Sequence, residues 1–125
     1  MSVRISIVQR DSAVAEHSIR FDVDRSTVLG NPFKLRANAS NAARVECLKL
    51  YRKWLWERIQ ERDQAIIAQL SKIKRAALMA PVELACHCAP KLCHASVIKN
   101  AVLWAIAKSE EVARRKQTVN RKVNA

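Results

Sequence analysis

The sequence predicts a compact α/β single domain, in which a small sheet is flanked by about three helices and followed by a basic C-terminal tail. Two short segments near the N-terminus alternate apolar and polar residues with a period of two, which is typical of strands. From about residue 41 the apolar residues recur with helical spacing, and a short apolar run and a further helical pattern follow. Strands and helices in this order favour helices packed on a small sheet.

Three segments are predicted as strands. Residues 3–8 alternate in polarity, and residues 19–25 place three apolar side chains on one face, those of Ile19, Phe21 and Val23. Residues 82–88 begin with a mostly apolar run and form the third predicted strand, which is expected to be buried.

The helices are predicted from capping residues and apolar stripes. Ser40 is expected to cap a helix over about residues 41–61, and Asp63 to cap a second helix that Pro81 ends. The final helix is expected to begin just after the cysteine-rich segment. The stripes expected to face the core are Val45, Leu48, Tyr51, Leu55 and Ile59 in the first helix, Ile66, Leu70, Ile73 and Leu78 in the second, and Val97, Ala101, Val102, Ala105 and Ile106 in the third.

Length and charge narrow the class of protein. A chain of 125 residues fits one domain, which we place at residues 1–112, with residues 113–125 as a flexible basic tail. The formal net charge of +12 suits a phosphate-bearing ligand or nucleic acid as the partner. Neither an apolar leader nor a membrane-spanning run is present, so a cytoplasmic protein that does not insert into membranes is expected.

Residues 86–94 are the most distinctive segment of the chain. They read Cys-His-Cys-Ala-Pro-Lys-Leu-Cys-His, and hold three of the four cysteines and two of the three histidines. Because an apolar strand precedes them and a helical pattern follows, they are expected to form a strand-to-helix turn, where α/β proteins place many sites. Cys47 stands apart from them in the sequence, on the first predicted helix.

A second distinctive segment follows the second predicted strand. Leu29-Gly30-Asn31-Pro32-Phe33 contains the only glycine of the chain and predicts a tight turn, since glycine permits a positive φ. If its strand lies beside the cysteine strand, Arg25 and the backbone amides of Gly30 and Asn31 could hold a phosphate.

These two segments, together with Tyr51-Arg52-Lys53-Trp54-Leu55 and the strand end Val23-Asp24-Arg25, resemble a bacterial and phage family catalogued as domain of unknown function 4326. The resemblance spans about residues 19–103. The cysteine motif is also distantly similar to that of domain of unknown function 488. The resemblance implies a fold and a site, but no reaction.

Three readings of the cysteine segment remain open. In the first, Cys86, Cys88 and Cys93, together with His94 or His87, bind zinc, which takes tetrahedral sets of thiolate and imidazole ligands. In the second, Cys93 is a nucleophilic or redox thiolate, stabilised by the helix N-terminus and by Lys91 or His94. In the third, the cysteines are small buried apolar residues that pack a tight junction.

The predicted function is binding of a phosphate-bearing ligand, either a nucleotide or nucleic acid, where the Gly30 loop meets the helix start at Cys93. The predicted ligand-binding residues are Arg25, Gly30, Asn31, Pro32 and Lys91. One alternative is an enzyme that acts on a nucleotide or nucleoside through Cys93, with His94, or through bound zinc. Another is a nucleic-acid-binding accessory protein that acts through its basic tail.

Overall fold

The computed structural model describes residues 3–36, 38–87 and 93–123, excluding the side chains of residues 120–123. Within these ranges the chain forms three strands and three helices, in the order β1 (Ile5–Gln9), β2 (Ile19–Asp22), α1 (Asn41–Gln60), α2 (Gln64–Ala77), β3 (Val82–Cys86) and α3 (Ala95–Val123). The predicted α/β class, the small sheet and the three helices are confirmed.

Strand β3 is the centre of a parallel sheet with the order β1-β3-β2. Ile5 and Ile19 both pair with Val82, so the two outer strands start level with each other. All five residues of β3 are buried, as expected for a central parallel strand covered on both faces. Since parallel strands end at one edge of a sheet, the segments that follow β2 and β3 meet at this carboxyl edge.

A buried ion pair holds the segment between β1 and β2 against the sheet. Glu83 of β3 accepts hydrogen bonds from Arg20 Nη2 at 2.8 Å and Nε at 3.0 Å. The same guanidinium donates to the backbone carbonyls of Arg10, Ser12 and Ala13. Because the carboxylate and the guanidinium satisfy each other, a charged residue is tolerated in the central strand.

The predicted caps of the first two helices are confirmed. The Ser40 hydroxyl accepts from Ala43 N at 3.1 Å, and the Asp63 carboxylate accepts from Ile66 N at 3.3 Å. Each side chain satisfies an amide that the first helical turn leaves without a partner.

The buried face of α1 differs from the predicted stripe. The structure buries Arg44, Cys47, Tyr51 and Leu55, whereas Val45 is 39% exposed. The first turns of α1 lie beside the cavity and the loop that follows β2, where Arg44 and Cys47 line the cavity, so the apolar stripe did not identify their inner side. Leu78 also differs, since it caps α2 and is 47% exposed.

Helix α3 has two unlike halves. Its first turns bury a stripe of Ala95, Ile98, Val102 and Ile106 against the core. Beyond Ile106 the described side chains are exposed, except for the half-buried Glu111. Residues 113–123, the greater part of the predicted tail, continue this helix. Among the described residues, no helix has the length and apolar character needed to cross a bilayer.

Candidate functional site

A cavity of about 160 Å³ lies at the carboxyl edge of the sheet. The segment after β2, the first turns of α1 and the junction of β3 with α3 surround it. Its lining includes Arg25, Asn31, Cys86, Cys93 and His94, which the sequence placed in two separate segments. The sequence prediction joined the Gly30 loop to the cysteine segment only if their strands were neighbours. Strand β2 does pair directly with β3.

Three guanidinium groups give the cavity its charge. Arg25 and Arg36 are exposed, whereas Arg44 is only 5% exposed and extends from the buried face of α1. Low dielectric strengthens the interaction of a buried cation with an anion brought beside it. The cavity therefore presents positive charge both at its surface and within.

Asp24 is the carboxylate among the cavity's described lining residues, and local groups hold its charge. It accepts hydrogen bonds from the Ser26 hydroxyl, from Ser26 N at 3.0 Å and from Arg10 Nη1 at 3.4 Å. The Ser26 hydroxyl, more than any other group, holds the pKa of Asp24 below its usual range, and Arg10 adds to this effect. Asp24 is thus ionised at neutral pH, and its carboxylate is hydrogen-bonded to Ser26 in the loop that follows β2.

Gly30 shapes this loop by its lack of a side chain. A Cβ at Gly30 would lie 2.5 Å from Asp24 O and 2.6 Å from Arg25 Cα, so no side chain fits. Its φ is not positive, and the predicted reason for the glycine is therefore wrong. The Gly30 N–H donates to Thr27 O at 3.0 Å, so this predicted phosphate contact is already used within the turn.

Asn31 ties the loop to α1. Its Oδ1 accepts from Phe33 N at 2.9 Å, and its Nδ2 donates to Cys47 Sγ at 3.3 Å. Arg25 Nη2 donates to Phe33 O at 3.4 Å, which orients the guanidinium along the same loop. Pro32 is exposed and, like Gly30, forms the loop without lining the cavity.

His94 is buried just before α3 and is fixed on both sides. Its Nε2 donates to Val23 O, and its ring packs edge-on against Tyr51 with centroids 5.1 Å apart. Burial lowers the pKa of His94, and the nearby Arg25 charge lowers it further. The imidazole is therefore neutral at pH 7, with its proton on Nε2 and its lone pair on Nδ1. The prediction that a protonated His94 stabilises a Cys93 thiolate is wrong, because burial disfavours the charged ring.

Tyr51 does not line the cavity but fixes the elements that surround it. Its hydroxyl donates to Leu29 O at 2.6 Å in a buried hydrogen bond. Burial raises the pKa of Tyr51, and a negative charge on Cys93 would raise it further, so the phenol stays protonated. Tyr51 thus joins α1, the loop after β2 and the start of α3.

Cys86 and Cys93 bring the end of β3 and the start of α3 together. Their sulfur atoms are 2.9 Å apart, well beyond a covalent disulfide bond of about 2.0 Å. The Cys93 carbonyl accepts from Ser96 N at 3.2 Å and from the Ser96 hydroxyl at 2.9 Å, so Cys93 directly precedes the first turn of α3. This position at the helix start agrees with the sequence prediction.

The zinc and lysine predictions depend partly on residues 88–92. Cys88 and Lys91 lie outside the described residues, and Cys88 is one of the four predicted ligands. No group of three or more metal-ligating side chains is found within the described residues. The zinc hypothesis therefore remains a prediction that needs Cys88, and it would use His94 through Nδ1, since Nε2 is already bonded.

Several lining residues were not predicted from the sequence. They are Asp24, Leu35, Arg36, Arg44, Cys47 and Leu48, whereas His87, the alternative zinc ligand, also lines the cavity. Cys47, expected to stand apart, lines the same cavity as Cys86 and Cys93. The spacing of Arg44, Cys47 and Tyr51 at i, i+3 and i+7 is the one signal in the sequence that places them on one helix face.

These features define a small α/β domain with a cationic cavity at the carboxyl edge of a parallel sheet, where such folds generally bind ligands. The chain belongs to the family described as domain of unknown function (DUF4326), whose model matches residues 7–104. The match extends the expected region toward the N-terminus and includes most of β1. No curated protein sequence and no solved structure matches the chain.

Proposed function

We propose that this protein binds a phosphate-bearing ligand, a nucleotide in the first instance, in the cavity between the Gly30 loop and the start of α3. The observation that carries the proposal is the convergence of Arg25, Arg36 and Arg44 on one cavity. Guanidinium groups match phosphate oxygens in charge and in geometry, since each can donate two parallel hydrogen bonds.

The other charged groups favour an anionic ligand. Asp24 is the carboxylate among the described lining residues, and Ser26 and Arg10 hold it. His94 is neutral and changes this balance of charge in neither direction. The described lining thus has an excess of positive charge, and the +12 charge of the chain would also attract anions from solution.

The size of the cavity limits how much of a ligand it can enclose. Pockets for drug-sized ligands measure roughly 300–1,000 Å³, whereas this cavity measures about 160 Å³. A phosphoryl group with part of a sugar fits this space better than a whole nucleotide, so the base would lie toward solvent. Affinity should therefore depend strongly on the phosphate and weakly on the base. A nucleotide ligand is consistent with the cytoplasmic location that the sequence predicts.

Calorimetric titration with adenosine 5′-monophosphate and adenosine tests this proposal. We expect the nucleotide to bind and the nucleoside to bind at least tenfold more weakly. Arg25→Gln with Arg36→Gln should weaken nucleotide binding at least tenfold, because two exposed phosphate contacts are lost. The control is Lys72→Gln with Arg75→Gln, which removes two exposed cations from α2. Equal weakening in both double variants would indicate nonspecific attraction and would contradict the proposal.

A second candidate function is an enzyme that acts on the nucleotide or nucleoside through Cys93. The observation that favours it is that Cys93 lines this cavity immediately before α3, where helix N-terminal amides stabilise a thiolate. An adjacent anion site would position a substrate beside the sulfur.

Cys93→Ser separates the two candidates. If the protein is an enzyme, this variant should keep its nucleotide affinity but lose product formation. Mass spectrometry measures the products formed from a mixture of 5′-mononucleotides and nucleosides. Cys47→Ser is the control, because Cys47 lines the same cavity from α1. Two results would exclude this second candidate for these substrates. One is product formation that continues in Cys93→Ser, and the other is the absence of product with every form of the protein.

A further inference from the structure

A second hollow, far larger than the cavity, lies between α1 and α3. This groove has a volume of about 880 Å³ and is open to solvent. Leu55, Ile59, Val97 and Ala101 provide apolar side chains to its lining. None of these four residues lines the cavity at the carboxyl edge of the sheet, so the groove is a separate surface.

Two tryptophans stand together in the groove. Trp56 of α1 is 44% exposed and Trp104 of α3 is 50% exposed. Their rings pack edge-to-face, with centroids 5.3 Å apart. An adjacent pair of exposed tryptophans beside an apolar surface is typical of interfaces, where tryptophan often contributes much of the binding energy.

The α1 side of the groove is basic. Lys49, Arg52 and Lys53 are exposed lining residues, at positions i, i+3 and i+4 of the helix. Lys49 pairs with Glu46 at 3.1 Å, whereas the described ion pairs include neither Arg52 nor Lys53. The α3 side contributes the uncharged Asn100 and Trp104. A ligand that fits the groove therefore needs apolar groups for its lining and negative charge along one side.

We propose that this groove docks an acidic amphipathic helix of a partner protein. Such a helix presents apolar side chains at i, i+3, i+4 and i+7 to the groove, and aspartate or glutamate to Arg52 and Lys53. Among the described lining residues, nucleobases could stack on Trp56 and Trp104 alone. The apolar side chains of a helix can also cover Leu55, Ile59, Val97 and Ala101, which favours a peptide over nucleic acid. A second copy of this chain is disfavoured, since two basic surfaces would face each other.

Three designed helical peptides test the proposal against the full-length protein. The first has leucines on one face and glutamates on its flanks, the second replaces the glutamates with lysines, and the third replaces the leucines with serines. We expect the first peptide to bind at least tenfold more tightly than either of the others, as measured by calorimetry. Equal binding of the first two peptides, or absence of binding by the first, would overturn the proposal.

Variants then place the peptide in the groove. Trp56→Ala and Trp104→Ala should each weaken the acidic peptide at least tenfold. Arg52→Glu with Lys53→Glu should do the same and should improve binding of the lysine peptide. The matched control, Lys72→Glu with Arg75→Glu, reverses two exposed charges on α2 and should change neither affinity more than twofold. Circular dichroism verifies that each variant is folded.

Two further outcomes would overturn the proposal. One is an acidic peptide affinity that the tryptophan and charge-reversal variants leave unchanged. The other is displacement of the peptide by a short single-stranded oligonucleotide whose own binding requires Trp56 and Trp104, which would make the groove a nucleic-acid site. Failure of nucleotide binding in the cavity has no bearing on this test, because the two surfaces use different residues apart from Leu48.

Discussion

Helix α1 separates two hollows that are built in opposite ways. On one side, hydrogen bonds to backbone groups fix the residues around the small cavity, as for Asn31, Tyr51 and His94. On the other side, Arg52, Lys53 and Trp56 extend from the helix surface and are largely exposed. Fixed polar groups suit recognition of a small anion, whereas exposed long side chains suit a surface that adapts to a larger partner.

Under the two proposals, one helix would serve two kinds of recognition through its two faces. Leu48 lines both hollows and marks where they approach each other. Changes on the cavity side should alter stability and nucleotide binding together, because the loop that forms the cavity also packs on the core. Changes at the exposed groove residues Arg52 and Lys53 should leave stability nearly unchanged.

The largest expected effect comes from Gly30→Ala. The new Cβ would overlap backbone atoms of Asp24 and Arg25, so the loop must move and the free energy of unfolding should fall by about 3 kcal/mol. Urea denaturation followed by circular dichroism measures this change, and nucleotide binding should be lost. The control is Lys34→Ala, at an exposed position of the same loop, which should cost less than about 0.5 kcal/mol. Unchanged stability in Gly30→Ala would show that the close approach is not required.

Tyr51→Phe should have a smaller effect on the same side of α1. The Leu29 carbonyl loses its buried donor, so the free energy of unfolding should fall by about 1.5 kcal/mol. The same denaturation experiment measures it. Thr118→Val removes an exposed hydroxyl from α3 and is expected to change the value by less than about 0.5 kcal/mol. If both variants behaved alike, the Tyr51 hydrogen bond would not contribute to holding the cavity wall.

Acidification should also weaken the cavity side, through His94. Burial lowers the pKa of His94 in the folded state below its ordinary value of 6.5. Below pH 6.5 the unfolded chain binds a proton that the folded chain does not, so stability is greatest above this pH and falls as pH decreases toward the folded pKa. One proton gives a slope of at most about 1.4 kcal/mol per pH unit.

Measuring the free energy of unfolding at several pH values between 5 and 8 tests this slope. His94→Gln should remove the slope in this range. His17→Asn should keep it, because His17 is an exposed residue with a φ of 63° that asparagine readily adopts. A slope that persists in His94→Gln would assign the effect to another group. The lowered pKa of Asp24 acts in a separate and more acidic range, below its ordinary value of 3.8.

The smallest expected effect on stability is that of removing residues 113–125. The described side chains of residues 113–119 are exposed, so the free energy of unfolding should change by less than about 0.5 kcal/mol. Nucleotide binding in the cavity should be unchanged. A nucleic-acid-binding role for this segment predicts instead that salt-sensitive binding to an oligonucleotide falls on truncation. A large loss of stability would show that this end of α3 packs on the domain.

The sequence predicted the parts of this fold that depend on local chemistry. The periods of the strands, the caps at Ser40 and Asp63, and the start of α3 just after the cysteine segment follow from residue types and spacing. It also indicated that the Gly30 loop and Cys93 belong to one site, provided that β2 lies beside β3. The pairing itself is a long-range feature and became known from the structure.

The sequence did not reveal which side of α1 faces the interior in its first turns. A hydropathy stripe identifies the inner side of a helix only where the surface beneath it is apolar, and the first turns of α1 lie beside the cationic cavity. Arg44 and Cys47 were therefore not predicted to belong to the site, although both line the cavity. Gly30 was recognised as special for the wrong reason, because close backbone approach leaves no signal in one sequence that distinguishes it from a positive φ.

The most direct test of the cationic cavity is a nuclear magnetic resonance titration of the ¹⁵N-labelled full-length protein with ribose 5-phosphate, and with ribose as the control. We predict that the phosphate ester shifts the amide signals of Arg25, Asn31 and His94, and that ribose does not. Arg25→Gln with Arg36→Gln should abolish these shifts. Equal shifts with both sugars, or shifts confined to the exposed basic half of α3, would contradict phosphate recognition in the cavity.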